Sequence, residues 1–330
     1  VTLVGITTAG GPDVAEDVGM GRLRVVRLRR PAYDRARLLR RTLWTLRTNL
    51  ALLWGARREL HWADEVLFTG SPPFLIHALV PLNLLLRRKL TYRITDFHPE
   101  CLMAGLGRVP LPIRLLYRIT VLLRRQVHGF EVLGEDQRRR LADIGIPAER
   151  VRLKRDPSPV EILPDTHPLP LPEELQGRAV LLYSGNFGVA HDHKTFLDAY
   201  RIYHRQGSGR TVLWLNATGA KADLVERELR AEALPVHRSR LVPLADLSRL
   251  LVAPHAHLIT LRDEFVGFVL PSKVYGCLQS GRSVLFVGSA SSDVHLLCEQ
   301  RLGPGGYWRA SVGDVEGVLA ALERIGSSIR

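Results

Sequence analysis

Apolar positions along this chain fall into short continuous runs that alternate with longer segments repeating every three to four residues. The runs at 25–28, 65–69, 90–94 and 129–133 read as buried strands, and the stretches at 34–60, 74–86 and 113–126 as helices. The rhythm then resumes. Strands are predicted at 180–183, 211–216, 257–260 and 283–287, and helices at 192–206, 222–233, 273–280 and 315–325. Such alternation predicts an α/β protein with parallel sheets and helices on both faces. Between the two series, prolines occupy 157, 159, 164, 168, 170 and 172, which excludes a helix or a central strand there. Two doubly wound, Rossmann-like domains are therefore expected, at 1–156 and 176–330, with a proline-rich linker at 157–175. Ligands of such sheets bind in a cleft at the strand carboxyl ends.

The segment 34–60 has a pattern of its own. Leu39, Leu43, Leu46, Leu50 and Leu53 recur on one helical face, while Arg37, Arg40, Arg41 and Arg47 fall mostly elsewhere and Trp44 and Trp54 add amphipathic rings. Two readings stand. The helix packs its leucines into the core and solvates the rest, or Arg and Trp lie against anionic lipid headgroups. Both hold together if the leucines face inward and the arginines outward.

Composition narrows the class. With 330 residues, 46% hydrophobic and 24% charged, the chain is an ordinary globular protein, not a disordered, collagenous or disulfide-built one. Cys101, Cys277 and Cys298 are odd in number and far apart, which suits a reducing compartment and lacks the spacing of a zinc site. The longest apolar stretch, 74–86, is interrupted by His77, Pro81 and Asn83 and falls short of the about 20 residues needed to span a bilayer. The net charge of +13 is lopsided. The stretch from 22 to 58 carries twelve arginines against the single acid Asp34. A one-sided basic field seeks a polyanion: nucleic acid, an anionic membrane or a phosphorylated substrate. The aromatic residues lack the interleaving of single-strand binders, which argues against nucleic acid.

Three local signals carry candidate chemistry. Tyr183-Ser184-Gly185-Asn186-Phe187-Gly188 places a glycine turn between a buried strand and a helix, presenting free N–H groups and a positive dipole end to phosphate. Pro271-Ser272-Lys273 sets a lysine in the first turn of a helix, where it opposes the dipole unless an anion lies between. Asp96-Phe97-His98-Pro99-Glu100 follows a strand and offers two carboxylates and an imidazole, with His98 a general base, an oxyanion partner or a structural residue. His191-Asp192-His193 invites a metal reading, but adjacent residues rarely converge on one ion and no Asp-x-Asp occurs, so no metal is expected. No Walker sequence or strict Gly-x-Gly-x-x-Gly is present, against an ATPase or a typical dehydrogenase.

Taken in order, these pieces resemble the GT-B glycosyltransferases, specifically the family 4 type that builds bacterial surface polysaccharides. The matching residues are Ser71-Pro72-Pro73, Asp96-x-x-Pro99-Glu100, Tyr183-Ser184-Gly185-Asn186-x-Gly188, and Pro271-Ser272-Lys273 through Gly281-Arg282-x-Val284. The resemblance implies a retaining, metal-independent transfer of a sugar from a nucleotide diphosphate, UDP or GDP, without a cofactor. It places the donor on the C-terminal domain, with Gly185, Asn186, Phe187, Gly188, Pro271, Ser272 and Lys273 around the diphosphate. Asp96 and His98 are placed near the reacting carbon. The acceptor would be a lipid-linked saccharide or polysaccharide on the cytoplasmic face of the membrane, with Arg37, Arg40, Arg41, Trp44 and Arg47 docking the enzyme there.

The sequence also departs from that family. Its two glutamates eight positions apart would fall on Phe268 and Gly276, and Glu264 is the nearby acid in a shifted register. The start resembles the second strand of the N-domain, so its first β-α unit is missing, and the long closing helix is absent at the end. The chain is then a piece of a longer one or a reduced variant. Alternatives from the same reading are a nucleotide-sugar epimerase or hydrolase, and a catalytically silent subunit that pairs with a partner glycosyltransferase or with itself.

Overall fold

The computed structural model describes residues 1–9, 11–19, 21–31 and 38–328. The chain divides into two compact units. The first comprises Val1–Val132 and Leu141–Leu153, the second Leu133–Arg140 and Lys154–Arg330.

The first unit opens with β1 (Thr2–Thr7), β2 (Val14–Val18) and β3 (Gly21–Arg29), in which β1 runs parallel to β3 and β2 forms an antiparallel hairpin with it. Then come α1 (Leu38–Gly55), α2 (Arg57–Trp62), β4 (Glu65–Thr69), α3 (Ile76–Leu86), β5 (Lys89–Ile94), α4 (Glu100–Ala104), α5 (Leu111–Arg125) and β6 (Gly129–Val132). After α6 (Glu135–Asp143), β7 (Val151–Leu153) completes a parallel sheet in the order β4-β5-β6-β7. The expected helix at 34–60 is thus two helices, and its first residues, 34–37, lie outside the described part. At the break, a Cβ on Gly55 would stand 2.7 Å from Leu28 Cδ1, so glycine lets α1 approach β3 closely.

The second unit holds β8 (Ala179–Asn186), α7 (Lys194–Gln206), β9 (Thr211–Thr218), α8 (Ala220–Ala231), β10 (Val236–Ser239), α9 (Leu247–Leu251) and β11 (Ala256–Thr260). It continues with α10 (Lys273–Gln279), β12 (Ser283–Val287), α11 (Asp293–Arg301), β13 (Tyr307–Ala310) and α12 (Val315–Gly326). Its six parallel strands run β10-β9-β8-β11-β12-β13, the doubly wound order in which the winding reverses between the first strand and the fourth. Leu181, Tyr183, Leu213, Leu215, Leu258 and Leu285 point to one face of the sheet and pack under α7 and α12 with Phe196, Tyr200 and Leu322. The proline-rich segment does not run free of this unit. Leu169 and Leu171 pack against a second cluster around Val180, Leu182 and Trp214, and Leu169 N–H donates to the Arg249 carbonyl at 3.1 Å.

The residues 133–140 join the second unit through interlocked helix starts. Asp293 accepts from Glu135 N–H at 3.0 Å, Asp136 accepts from Asp293 N–H at 3.0 Å, and Arg155 places one amino group 3.0 Å from both Asp293 oxygens. Each buried carboxylate satisfies the free N–H groups of the other helix.

Candidate functional site

At the winding reversal, the carboxyl ends of β8 and β11 frame the turn predicted to hold phosphate. Gly185 has φ 104°, in the left-handed region that strains any side chain. The turn is tied to β9 by Phe187 N–H, which donates to the Thr218 carbonyl at 2.7 Å. Gly219, at φ 102°, closes it: a Cβ there would lie 2.7 Å from Asn186 Oδ1 and 2.8 Å from the Phe187 carbonyl oxygen. Gly185 and Asn186 end β8 and Gly188 follows them, with Asn186 exposed and the two glycines half-buried. The Phe187 side chain is elsewhere, buried and stacked on Tyr183 with ring centroids 4.1 Å apart, and its N–H is given to Thr218, so Phe187 shapes the turn from the core.

Lys273, in the first turn of α10, reaches this loop from below. Its Nζ is buried without a hydrogen-bond partner and sits 3.2 Å from the centroid of the Tyr183 ring, whose hydroxyl donates to the Asn186 carbonyl at 3.2 Å. Desolvation draws its pKa down to about 7, with the Cys277 thiol opposing the shift. Beside it, His191 Nδ1 lies 2.6 Å from the Thr260 carbonyl. Burial, assisted by the Lys273 charge, pulls His191 down to about 3, so the ring is neutral and Nδ1–H donates. Pro271 is buried, while Ser272 is exposed at the start of α10 and makes no capping bond of its own.

Two further cations gather here that no motif indicated. Lys221 Nζ donates to the His191 carbonyl at 2.7 Å, and Arg262 donates its backbone N–H to the Ala190 carbonyl at 2.9 Å and its guanidinium to the Val189 carbonyl at 3.5 Å. The signal for Lys221 was present: like Lys273, it is a lysine in a first helical turn, opposing the dipole. Glu264 is exposed and paired with Arg262 at 3.2 Å. At Gly276, a Cβ would come 2.9 Å from Leu251 Cδ1, so the close approach of α9 leaves no room for the family's acid. Among the described residues, no three His, Cys, Asp or Glu side chains gather as metal ligands do. The arrangement as a whole is a glycine turn at the strand carboxyl ends with Lys273, Lys221 and the Glu264-paired Arg262 beside it, a positive setting that suits a diphosphate.

In the first unit, the loops after β4 and β5 lie against each other. A Cβ on Gly70 would be 3.3 Å from the Tyr92 hydroxyl and 3.7 Å from the Asp96 carbonyl. Ser71–Pro72 and His98–Pro99 are cis. The two carboxylates expected together at the carboxyl end of this strand part company. Glu100 is buried and held by both amino groups of Arg124, a fully buried residue of α5 that also donates to the His98 carbonyl at 3.0 Å. Glu100 therefore holds the loop in place, because its charge is already spent on Arg124. Asp96 is exposed on the same loop, yet local desolvation raises its carboxyl above the usual range while His98 opposes the shift. His98 is half-buried, with the Phe74 ring 6.0 Å away.

Of the residues expected to dock, the structure describes only part. Arg37 lies outside the described residues, and the Arg41 side chain is likewise undescribed. Arg40 and Arg47 are exposed, and Trp44 is half-buried with its Nε1 donating to the Pro31 carbonyl at 2.8 Å. The leucine face, expected to pack inward, points outward instead: Leu43, Leu46 and Leu50 are 47%, 57% and 63% exposed. The buried face carries Thr45, Thr48 and Asn49, and Asn49 donates to the Pro73 carbonyl at 2.9 Å. Polar anchoring of the β4 loop thus decides which side of α1 is inside.

Comparison with known proteins places the fold. No family model matches the chain. A curated relative, described as a probable glycosyltransferase, WbjE of Pseudomonas aeruginosa, is 23% identical over 248 residues, 72% of this chain. The match spans only 60% of that relative's length. Sucrose-phosphate synthase from Thermosynechococcus elongatus superposes with a TM-score of 0.66 at 10% identity, over 98% of this chain and 79% of its own. Anabaena Alr3699/HepE, solved in complex with UDP and glucose, superposes with a TM-score of 0.62 at 12% identity, over 92% of this chain and 78% of its own.

Proposed function

We propose that this chain, whose fold is that of the GT-B glycosyltransferases, moves a sugar from a nucleotide-diphosphate sugar to a lipid-linked or polysaccharide acceptor, working as a peripheral protein on the cytoplasmic face of a membrane. The observation that carries the reading is Lys273 Nζ, a buried cation without a hydrogen-bond partner beside the Gly185–Gly188 turn at the winding reversal. A buried, unpaired ammonium is costly, and phosphate oxygens are the partner that chemistry and position both fit. The relative's description and the UDP in the Anabaena structure support the same donor class.

The chemistry follows from where charge develops. When the glycosidic bond to the diphosphate breaks, negative charge grows on the leaving oxygen. Fixed N–H groups of the glycine turn, the Ser272 hydroxyl and the Lys273 ammonium stabilise it without reorganising. Lys221 and Arg262 add positive potential beside the same turn. On the acceptor side, His98 takes part at the accepting hydroxyl, with the Asp96 carboxyl on the same loop. A retaining course without a metal is the reading carried by the family resemblance.

Calorimetry with UDP, GDP, dTDP and ADP tests the donor site directly. Selective binding of one diphosphate is expected, followed by transfer from the matching sugar nucleotide to a lipid-linked saccharide. Binding of none would sink the proposal and favour a silent subunit. His98→Ala is expected to leave nucleotide affinity within about twofold while lowering transfer about 100-fold or more, the usual range for a general base. The reverse pattern would move His98 into the donor site.

A further inference from the structure

Helix α5 leaves an apolar stripe outside. Its fully buried positions are the polar Thr120 and Arg124, both at 0% exposure, flanked by half-buried Ile113, Leu116, Val121 and Leu123, while Leu111, Leu115, Ile119 and Leu122 stand 77%, 56%, 41% and 58% exposed. These four recur at intervals of four, four and three, which places them along one side of the helix. A helix of a globular protein normally buries such a stripe. Here the inward side is committed to polar work: Arg124 holds Glu100 and the His98 carbonyl, and Thr120 lies 3.0 Å from His77 Nε2. The leucines are left outside as a consequence.

The neighbouring helices share the habit. Helix α3 packs against both α5 and α1. Its Leu84 and Leu85 are 65% and 82% exposed. On α1, Leu43, Leu46 and Leu50 are exposed together with Arg40 and Arg47, and Trp54, 70% exposed, carries the Arg57 guanidinium 4.5 Å above its ring. Across α1, α3 and α5 the sequence contains no carboxylate and seven arginines, of which Arg124 is buried on Glu100 and belongs to no outer face. Arg114 and Arg118 are exposed beside the α5 stripe.

We infer that the outer faces of these helices enter the headgroup region of an anionic lipid monolayer, with the α5 stripe inserted and the arginines at the phosphates. Apolar residues ringed by arginine without acids are the composition of an interfacial helix. Charge selects lipid over a second copy of the chain. A two-fold interface places the same patch on both sides, and a patch of arginines without acids opposes itself. The inference rests on the membrane-surface part of the function proposed above and replaces purely electrostatic docking by arginines with insertion. Salt screens exposed charges over about 8 Å at physiological ionic strength but does not weaken burial of leucine.

The test is flotation of the full chain with phosphatidylcholine vesicles, with and without phosphatidylglycerol, at low and high salt. Flotation on the anionic vesicles is expected, reduced but not abolished by salt. Leu115→Glu/Ile119→Glu should lower the bound fraction at least about tenfold, by removing two inserted side chains, while circular dichroism and melting stay unchanged. Should those carboxylates unsettle the helix, Arg114→Gln/Arg118→Gln is the second variant, and its flotation should fall on anionic vesicles only. No flotation at low salt, equal flotation by the leucine variant, or a solution dimer that this variant splits would each overturn the inference. UDP calorimetry on the same samples separates the two readings. Nucleotide binding without flotation removes the membrane face alone, and flotation without nucleotide binding removes the donor site alone.

Discussion

At the scale of single residues, Lys273 is the most informative group in the chain. Its place was legible because a lysine in a first helical turn works against the dipole, and such a placement calls for an anion. What the sequence could not reveal is its burial against the Tyr183 ring, which draws its pKa to about 7. Two predictions follow at this scale. As pH rises through about 7, the free protein loses the Lys273 proton, so diphosphate binding must take one up. Affinity should therefore fall by about tenfold per pH unit above that point, relative to Lys273→Met, in which the ligand's own ionisation cancels. A pH-independent difference would separate Lys273 from the phosphates. The folded pKa lies below the ordinary lysine value of 10.5, so between about 7 and 10.5 the unfolded chain binds the extra proton and this group's contribution to stability rises with pH. Near neutral pH, Lys273→Met should thus stabilise the free protein by on the order of 1 kcal/mol or more while removing diphosphate affinity. Thermal melting with and without UDP checks both signs.

At the scale of elements, the buried pair of Arg124 and Glu100 links α5 to the loop that carries Asp96 and His98. Removing one partner leaves an uncompensated buried charge. Glu100→Gln should cost about 3–5 kcal/mol in denaturant unfolding of the first unit, far above the usual effect of a loop substitution. A cost below about 1 kcal/mol would mean that the pair is open to water. The same kind of pairing shows why the leucine face of α1, expected inward, lies outside. Amphipathic spacing identifies two faces, but the inner one of α1 and α5 is chosen by polar anchors, Asn49 to Pro73 and Arg124 to Glu100, whose partners are distant in sequence. Strands β10 and β13 escaped prediction for another reason. Both lie at the edges of the sheet, where half-buried residues such as His237, Arg238, Tyr307 and Trp308 break the apolar run.

At the scale of the molecule, each unit is described by its own core, so ligand effects should be unequal between them. A diphosphate bound in the second unit at about 100 times its Kd stabilises by about 2.7 kcal/mol whatever it holds closed. Hydrogen exchange should slow at 181–191 and 260–276 on adding UDP, with the amides of β4–β6 less affected. Protection confined to the first unit would place the nucleotide there instead. What the sequence by itself determined is the α/β class, the two series of strands and helices, and the glycine turn and lysine of the proposed donor site. Local periodicity and local backbone strain are enough for those, since they act between residues near in the chain. Only the tertiary structure decided that Glu100 anchors rather than reacts, that Phe187 is core, that Lys221 and Arg262 join Lys273, and that the leucines of α1 and α5 face outward. Each of those outcomes depends on which distant polar group is left to be satisfied when the chain packs, and spacing along the sequence carries no record of that.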